Sequence, residues 1–288
     1  MKPGISIQML LAVVAVLASS AALAQNDDFD SVEIIPHHVR GNVYYLEGRG
    51  GNIGVSLGEN GVVLVDDQFA PLTDKIVAAV ESISDADIRF VINTHVHGDH
   101  VGGNENLAAR GVSVIAHDNV RLRLTQASSP IAARPVLTFP DSAMIQLDDE
   151  VIEIIKVPPA HTDGDSYVFF RNSDVLHLGD VFRTTGYGFI DTNNGGSAAG
   201  TIAALQLAID LAGPDTIILP GHGMLSNADD VREFMDVIIE VEQRVSALIE
   251  QEMTLEQVLA AQPTADLDER WGDPERFLTG LYNSIAGM

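Results

Sequence analysis

The sequence predicts an α/β protein whose pattern suits an αββα sandwich, two mixed β-sheets flanked by helices. Three observations carry that expectation. Short apolar runs of strand length alternate with stretches of helical periodicity in both halves of the chain. No segment repeats at a fixed period, which excludes a solenoid or propeller. Polar residues capable of chemistry recur at the ends of the apolar runs, where a sheet gathers its functional loops.

The first residues stand apart from this pattern. Lys2 gives a basic start, Met9 to Leu17 is an unbroken apolar run, and Ala22-Leu23-Ala24 is the small-x-small site that signal peptidase reads. The apolar run falls short of the roughly 20 residues that a membrane-spanning helix needs. Residues 1–24 are therefore expected to be a cleaved export signal, leaving 25–288 as one folded domain in the periplasm, or fully secreted, with no stable membrane anchor.

Residues 25–41 form a lead-in of unspecified structure. Strands are expected at Val43–Leu46, Ile53–Leu57 and Val62–Val65, joined as antiparallel hairpins by turns such as Glu59-Asn60-Gly61. Pro71 opens a helix with apolar positions Ile76, Val77, Val80 and Ile83. A buried strand over Arg89–Asn93 precedes a helix–strand–helix passage with its strand at Val112–Ala116, and the Pro- and Ser-rich residues 128–141 read as a loop. Further strands follow at Met144–Leu147, Val151–Val157, Ser166–Phe170, Val175–Leu178 and Thr216–Leu219, with a helix at Ala198–Leu211. Residues 227–288 are a helical extension, with a long amphipathic helix over Ala228–Gln251, a last one near Pro274–Ile285, and Trp271 docking the tail on the body.

Composition excludes several classes. The chain of 288 residues has no cysteine, so it has no disulfide, no thiolate metal ligand and no cysteine nucleophile. A formal charge of -25 repels phosphate backbones and disfavours nucleic acid as a partner. A small-molecule substrate is expected, and the residues specify no oligomeric state.

The chemistry concentrates in Asn93-Thr94-His95-Val96-His97-Gly98-Asp99-His100, which holds three of the nine histidines. His95 and His97 alternate in extended chain and point the same way, and after Gly98 the chain can turn to bring Asp99 and His100 to a neighbouring point. Two adjacent cation sites served by one loop are the natural result, imidazole suiting zinc and carboxylate a harder position. His161 lies in a loop between two strands, and Asp180 and His222 each follow an apolar strand.

Together, His95-x-His97-x-Asp99-His100, then His161, Asp180 and His222, resemble the metallo-β-lactamase superfamily over about residues 40 to 225. The resemblance implies the αββα fold and two zinc ions, with iron or manganese as other divalent candidates. It implies that His95, His97 and His161 hold one metal, that Asp99, His100 and His222 hold the other, and that Asp180 bridges them. It also implies a supporting role for Asp66, orienting a ligand histidine or its loop, although a turn-forming aspartate would read the same way. The expected reaction is hydrolysis, a hydroxide shared by two cations attacking a polarised carbonyl while Asp99, the catalytic candidate, orients it.

The substrate is less determined. The intervals of 19 residues from His161 to Asp180 and 42 from Asp180 to His222 are similar to those of the cysteine-containing β-lactamases. Arg183 stands where those enzymes carry a basic residue for the substrate carboxylate, unless it is a surface salt-bridge partner. The departures are Asp180 in place of cysteine and a histidine at position 100, a set more like glyoxalase II-type thioester hydrolases and lactonases. Cyclic amides or esters, β-lactams among them, are the leading expectation. Thioesters and lactones come next, and a metal-binding protein without turnover is the reading of a different class. His37, His38, His117 and His177 are left outside the metal set, His177 because an odd offset from Asp180 puts it on the other strand face.

Overall fold

In the computed structural model, which describes residues 28–287, strands β1 (Ile35–Arg40), β2 (Val43–Glu47), β3 (Ile53–Gly58) and β4 (Gly61–Val65) form an antiparallel meander. Helix α1 (Thr73–Glu81) crosses to β5 (Ile88–Asn93), which lies parallel to β4. Helices α2 (Gly98–Val101) and α3 (Asn104–Ala108) lead to β6 (Ser113–His117), and α4 (Asp118–Gln126) leads to β7 (Leu137–Phe139), completing a seven-stranded sheet in sequence order. The second sheet comprises β8 (Ser142–Leu147), β9 (Glu150–Lys156), β10 (Ser166–Phe170), β11 (Val175–His177) and, after helix α5 (Ala198–Leu211), β12 (Ile217–Leu219). The tail is helical: α6 (Ala228–Ile249), α7 (Leu255–Ala260), α8 (Asp268–Trp271) and α9 (Glu275–Ala286).

Strand alternation builds the layers. Val63 and Val65 of β4 face Ile152, Ile154, Val168 and Phe170 between the sheets. Val62 and Leu64 turn outward under Ile76 and Val80 of α1. On the other sheet, Tyr167 and Phe169 turn outward beneath Ala204 and Leu205 of α5 and Phe234 and Ile238 of α6. With both faces covered, the central strands read as continuous apolar runs, and each fully buried large side chain contributes roughly 1.5–3 kcal/mol. Gly200 lets α5 sit against the β9–β10 connection, because a Cβ there would lie 1.5 Å from the Pro159 carbonyl oxygen.

Three sequence expectations change. The lead-in contains β1, an edge strand paired only with β2. The expected loop over 128–141 contains β7, which pairs with β6 at the sheet's other edge. The helix opened by Pro71 ends at Glu81, and Ile83 lies beyond it. The export signal expected over residues 1–24 lies outside the described residues. Among the described residues, no helix is long and apolar enough to cross a membrane.

Candidate metal centre

Strand ends of both sheets meet at one edge. The turn after β4 carries Asp66, the segment after β5 carries His95 to His100, and the β9–β10 connection carries His161. The turn after β11 carries Asp180, and the turn after β12 carries His222. The first two segments are locked together by Asp66 N–H donating to the Ile92 carbonyl and by Asp67 N–H donating to that of His100. Thr162 donates through N and Oγ1 to buried Asp165, pinning the His161 loop, and burial pushes the Asp165 carboxyl up to about 7. Asn52 donates to the Pro220 and Gly223 carbonyls, both at 3.0 Å, holding the His222 loop against the glycine-rich turn before β3.

All seven expected ligand residues converge. His95, His97 and His161 form one group, His95, His100 and Asp180 a second, and Asp99, His100 and His222 a third, with donor atoms inside each group within 4.8 Å of one another. Asp180 stands between the histidines of both sets, with Oδ1 3.1 Å from His100 Nε2 and Oδ2 3.3 Å from His222 Nε2 and 3.8 Å from His161 Nε2. Asp99 Oδ2 lies 3.2 Å from His222 Nε2 and 3.6 Å from His100 Nε2.

The outward nitrogens settle what the inward ones offer. His161 Nδ1–H donates to the Phe189 carbonyl at 2.6 Å, and His97 Nε2–H donates to Asp191 Oδ2 at 2.8 Å. His100 Nδ1–H donates to Asp66 Oδ2 at 2.7 Å. Thr94 spends its hydroxyl hydrogen on Asp66 Oδ2 at 2.8 Å, so His95 Nδ1–H donates to Thr94 Oγ1 at 3.0 Å. Each ring is thereby fixed in the tautomer that aims a lone pair inward. His97 Nδ1 then faces His161 Nε2 at 2.7 Å and His95 Nε2 at 3.2 Å with no hydrogen available between them. His100 Nε2 and Asp180 Oδ1 are likewise buried with no hydrogen-bond partner. Facing lone pairs beside buried carboxylates repel unless a cation lies among them, so the donor set fits metal ions, and imidazole with carboxylate is the chemistry zinc accepts.

Electrostatics divide the cluster into two halves. Burial, reinforced by the neighbouring imidazoles, holds His95 well below the usual histidine range, and burial brings His161 down to about 4, keeping both neutral. Burial opposes charge on His100 and His222 as well, but nearby carboxylates outweigh it: Asp180 and Asp66 raise His100 well above its ordinary value, and Asp180 and Asp99 raise His222. Burial works against ionised Asp99, yet its hydrogen bond with His222 and the charge of His100 hold it down at about 2. Glycines give the cluster room. A Cβ on Gly51 would lie 2.2 Å from His100 Cε1, and one on Gly221 would lie 2.1 Å from Asp180 Oδ1.

Asp66 sits beneath this cluster, fully buried with φ of 68°, accepting from Thr94 N, Thr94 Oγ1 and His100 Nδ1. Arg183 lies at its side, where its backbone bridges to His222, its Nε is buried without a partner and its Nη2 reaches Thr185 Oγ1 at 3.4 Å. The remaining histidines stay outside. His177 donates to the Asn52 carbonyl and accepts from Gly179 N–H, His117 caps α4, and His37 and His38 lie on β1. Sequence reasoning missed Thr94, Asp191 and the Phe189 carbonyl, the partners that orient the histidine rings. Asp191 lies in an irregular segment 94 residues from His97, and nothing in its local sequence marks it.

Comparison with known proteins agrees with this geometry. The family model described as the Metallo-beta-lactamase superfamily matches residues 40–222, well over half of the chain. Hydroxyacylglutathione hydrolase from Polaromonas sp. is 27% identical over 191 residues, covering 65% of each chain. The enzyme of that name from Rhodospirillum rubrum is 30% identical over 152 residues, covering 52% of this chain and 54% of its own. The chain thus spans somewhat less than two thirds of the length of these relatives. Among solved structures, the metallo-beta-lactamase from Pontibacter korlensis superposes with a TM-score of 0.65 at 14% identity, over 72% of this chain and 99% of its own. DIM-1 metallo-beta-lactamase gives 0.63 at 18% identity, over 72% and 98%, and both likenesses establish the αββα sandwich. With the family match spanning the strands and loops that carry all seven converging residues, the chain belongs to the metallo-beta-lactamase superfamily.

Proposed function

We propose that this protein is a dinuclear zinc hydrolase of small activated carbonyl compounds, acting on thioesters and lactones ahead of cyclic amides. The observation that carries the reading is the set of inward lone pairs on His95, His97, His161 and His100, each enforced by an outer hydrogen-bond acceptor. His95, His97 and His161 would hold one ion, Asp99, His100 and His222 the other, and Asp180 would serve both. When bound, the two ions supply Lewis acidity and acidify a water towards neutral pH. The chain's own residues do the rest. Thr94, Asp66, Asp191 and the Phe189 carbonyl each accept the outward N–H of a ring and so aim the imidazoles. Asp99 stays ionised and half-buried, placed to accept a hydrogen bond from the attacking water and fix its direction. Gly50 and Gly51 close over Asp99 and His100.

Asp180 and His100 support the thioester and lactone order, together with relatives named hydroxyacylglutathione hydrolase. Export to the periplasm, read from the sequence alone, argues for a substrate other than a cytosolic glutathione thioester. A second reading, β-lactam hydrolysis, is favoured by one observation, the placement of Arg183 beside His222. The test is metal analysis coupled to chromogenic thioesters, lactones and β-lactams. Two zinc equivalents are expected, with thioester or lactone turnover lost to a chelator and restored by zinc. Fully loaded protein that turns over no member of the panel would defeat the hydrolase reading and leave a metal-binding protein.

A further inference from the structure

Residues 186–197, between the Arg183 bridge and α5, supply both outer acceptors for one half of the cluster. The Phe189 carbonyl accepts from His161 Nδ1–H, and Asp191 Oδ2 accepts from His97 Nε2–H. We propose that helix α9 of the tail, through Gly280 with Tyr187 and Ser284 as flanking anchors, positions that half by pressing this stretch against the cluster. The tail contributes no ligand itself; it acts through His97 and His161. The inference rests on the reading of the cluster as a metal centre and adds to it a part of the chain that holds none of the seven ligands.

The stretch belongs to neither sheet and contains one short 3-10 turn, so no strand ladder fixes its backbone. Its place is set by what packs on its two sides. On the inner side, Asp191 N–H donates to the His161 carbonyl at 2.9 Å, and Ser197 N–H donates to that of Ala160 at 2.8 Å. Upstream of these ties, among the described residues, the main-chain bond donated between Thr184 and Asp191 goes to the tail: Tyr187 N–H to the Trp271 carbonyl at 3.1 Å.

The outer side is covered by one face of α9. The Tyr187 ring lies on that of Phe277 with centroids 5.2 Å apart and planes 5° apart, and its hydroxyl donates to Asp268 Oδ1 at 2.9 Å. Ser284 Oγ accepts from Ala198 N–H at 2.9 Å, where the stretch enters α5. Between these anchors the helix passes so close that only glycine fits. A Cβ on Gly280 would lie 2.4 Å from the Ile190 carbonyl oxygen and 3.2 Å from its carbon. Ile190 is the residue between the two outer acceptors. Phe277, Gly280 and Ser284 are spaced three and four apart, which puts them on one stripe of the helix.

The remaining histidines take their support elsewhere. Asp66, which serves His100, follows β4, and Thr94, which serves His95, follows β5, both in the seven-stranded sheet. Moving α9 away from Ile190 should therefore loosen the acceptors of His97 and His161 and leave those of His95 and His100 in place. Loss of an outer partner lowers metal affinity about 10–100-fold, so the effect falls on the site held by His95, His97 and His161. The stretch lies inside the 40–222 segment matched by the superfamily, whereas α9 lies beyond it.

Gly280→Ala in the full chain is the test, read in two ways that need no turnover. Nuclear magnetic resonance follows exchange of the imidazole N–H hydrogens with solvent, and zinc titration against a chromophoric chelator, with the histidine resonances showing which site fills, gives the two affinities. In the parent, His161 Nδ1–H and His97 Nε2–H should exchange slowly with or without zinc. In Gly280→Ala both should exchange faster while His95 Nδ1–H does not, and the His95–His97–His161 site should weaken about tenfold with the other site parental. The double variant Tyr187→Phe with Ser284→Ala, which removes two anchoring hydrogen bonds and adds no bulk, should shift both readings in the same direction. Ile76→Val, beneath α1 in the opposite layer, controls for a general loss of stability and should shift neither. Parental exchange in both tail variants, equal weakening of the two sites, or the same changes in Ile76→Val would overturn the proposal. A parent protein that takes up no zinc sinks the metal-centre reading alone, because imidazole exchange still reports whether α9 holds the two rings.

Discussion

Replacing Asp66 with asparagine tests whether an outer carboxylate dictates which atom His100 offers. Asp66 Oδ1 accepts from Thr94 N–H at 2.7 Å, and Oδ2 accepts from Thr94 Oγ1 at 2.8 Å and from His100 Nδ1 at 2.7 Å. Asparagine tolerates the left-handed backbone at this position, where φ is 68°, so the change isolates the hydrogen bonds from backbone strain. Its amide oxygen can still serve Thr94 N–H, but its NH2 confronts two groups that already donate. The rearrangement of least cost is for His100 to move its hydrogen from Nδ1 to Nε2, the atom aimed at Asp180 and Asp99. The lone pair then leaves the second cluster. Loss of such an outer partner lowers metal affinity about 10–100-fold, or roughly 1.4–2.7 kcal/mol. The metal-free protein loses in addition a charge-assisted hydrogen bond in a fully buried site, about 1.5–3 kcal/mol. Zinc titration against a chromophoric chelator reads the first quantity, and denaturant unfolding of the metal-free protein reads the second. The first zinc equivalent should bind nearly as in the parent and the second 10–100-fold more weakly. A second equivalent bound with parental affinity would refute the tautomer argument.

The remaining predictions are brief. Asp99→Ala should lower kcat by at least about 100-fold while leaving the far-ultraviolet circular dichroism unchanged, since Asp99 lies at the rim and anchors no strand; near-parental turnover would show that the attacking water is oriented elsewhere. On acidification, zinc should leave in two steps. His100 and His222 have raised proton affinity in the metal-free protein, so protons compete there at higher pH, whereas His95 and His161, the latter near 4, resist protonation. The Asp99–His100–His222 side should therefore empty first, and simultaneous release, read as zinc retained against pH, would contradict that order. Gly221→Ala places a Cβ 2.1 Å from Asp180 Oδ1 and 2.6 Å from the Gly179 carbonyl oxygen, so it should cost about 1–3 kcal/mol of stability and weaken both metal sites together; loss at only one site, by the same chelator titration, would count against Asp180 serving both.

How far the fold and the site can be read from sequence depends on what constrains each residue. The central strands are legible because both their faces are buried, as in β4, where all five residues are apolar or glycine and all are buried. β1 escapes notice because Ile35-Pro36-His37-His38-Val39-Arg40 is an edge strand, half-exposed and polar, made a strand by its pairing with β2. β7 has three residues and is likewise set by its neighbour, β6. The seven converging residues are legible for a chemical reason. Only a few side chains can serve a metal, four of the seven are clustered within His95 to His100, and the others sit at or beside strand ends that topology brings to the same edge. The residues that aim them face no such restriction. An imidazole N–H is satisfied equally by a carboxylate (Asp66, Asp191), a hydroxyl (Thr94) or the main-chain carbonyl of a phenylalanine (Phe189). Because so many groups can accept that hydrogen, no residue pattern announces the one that does; only the folded arrangement selects it.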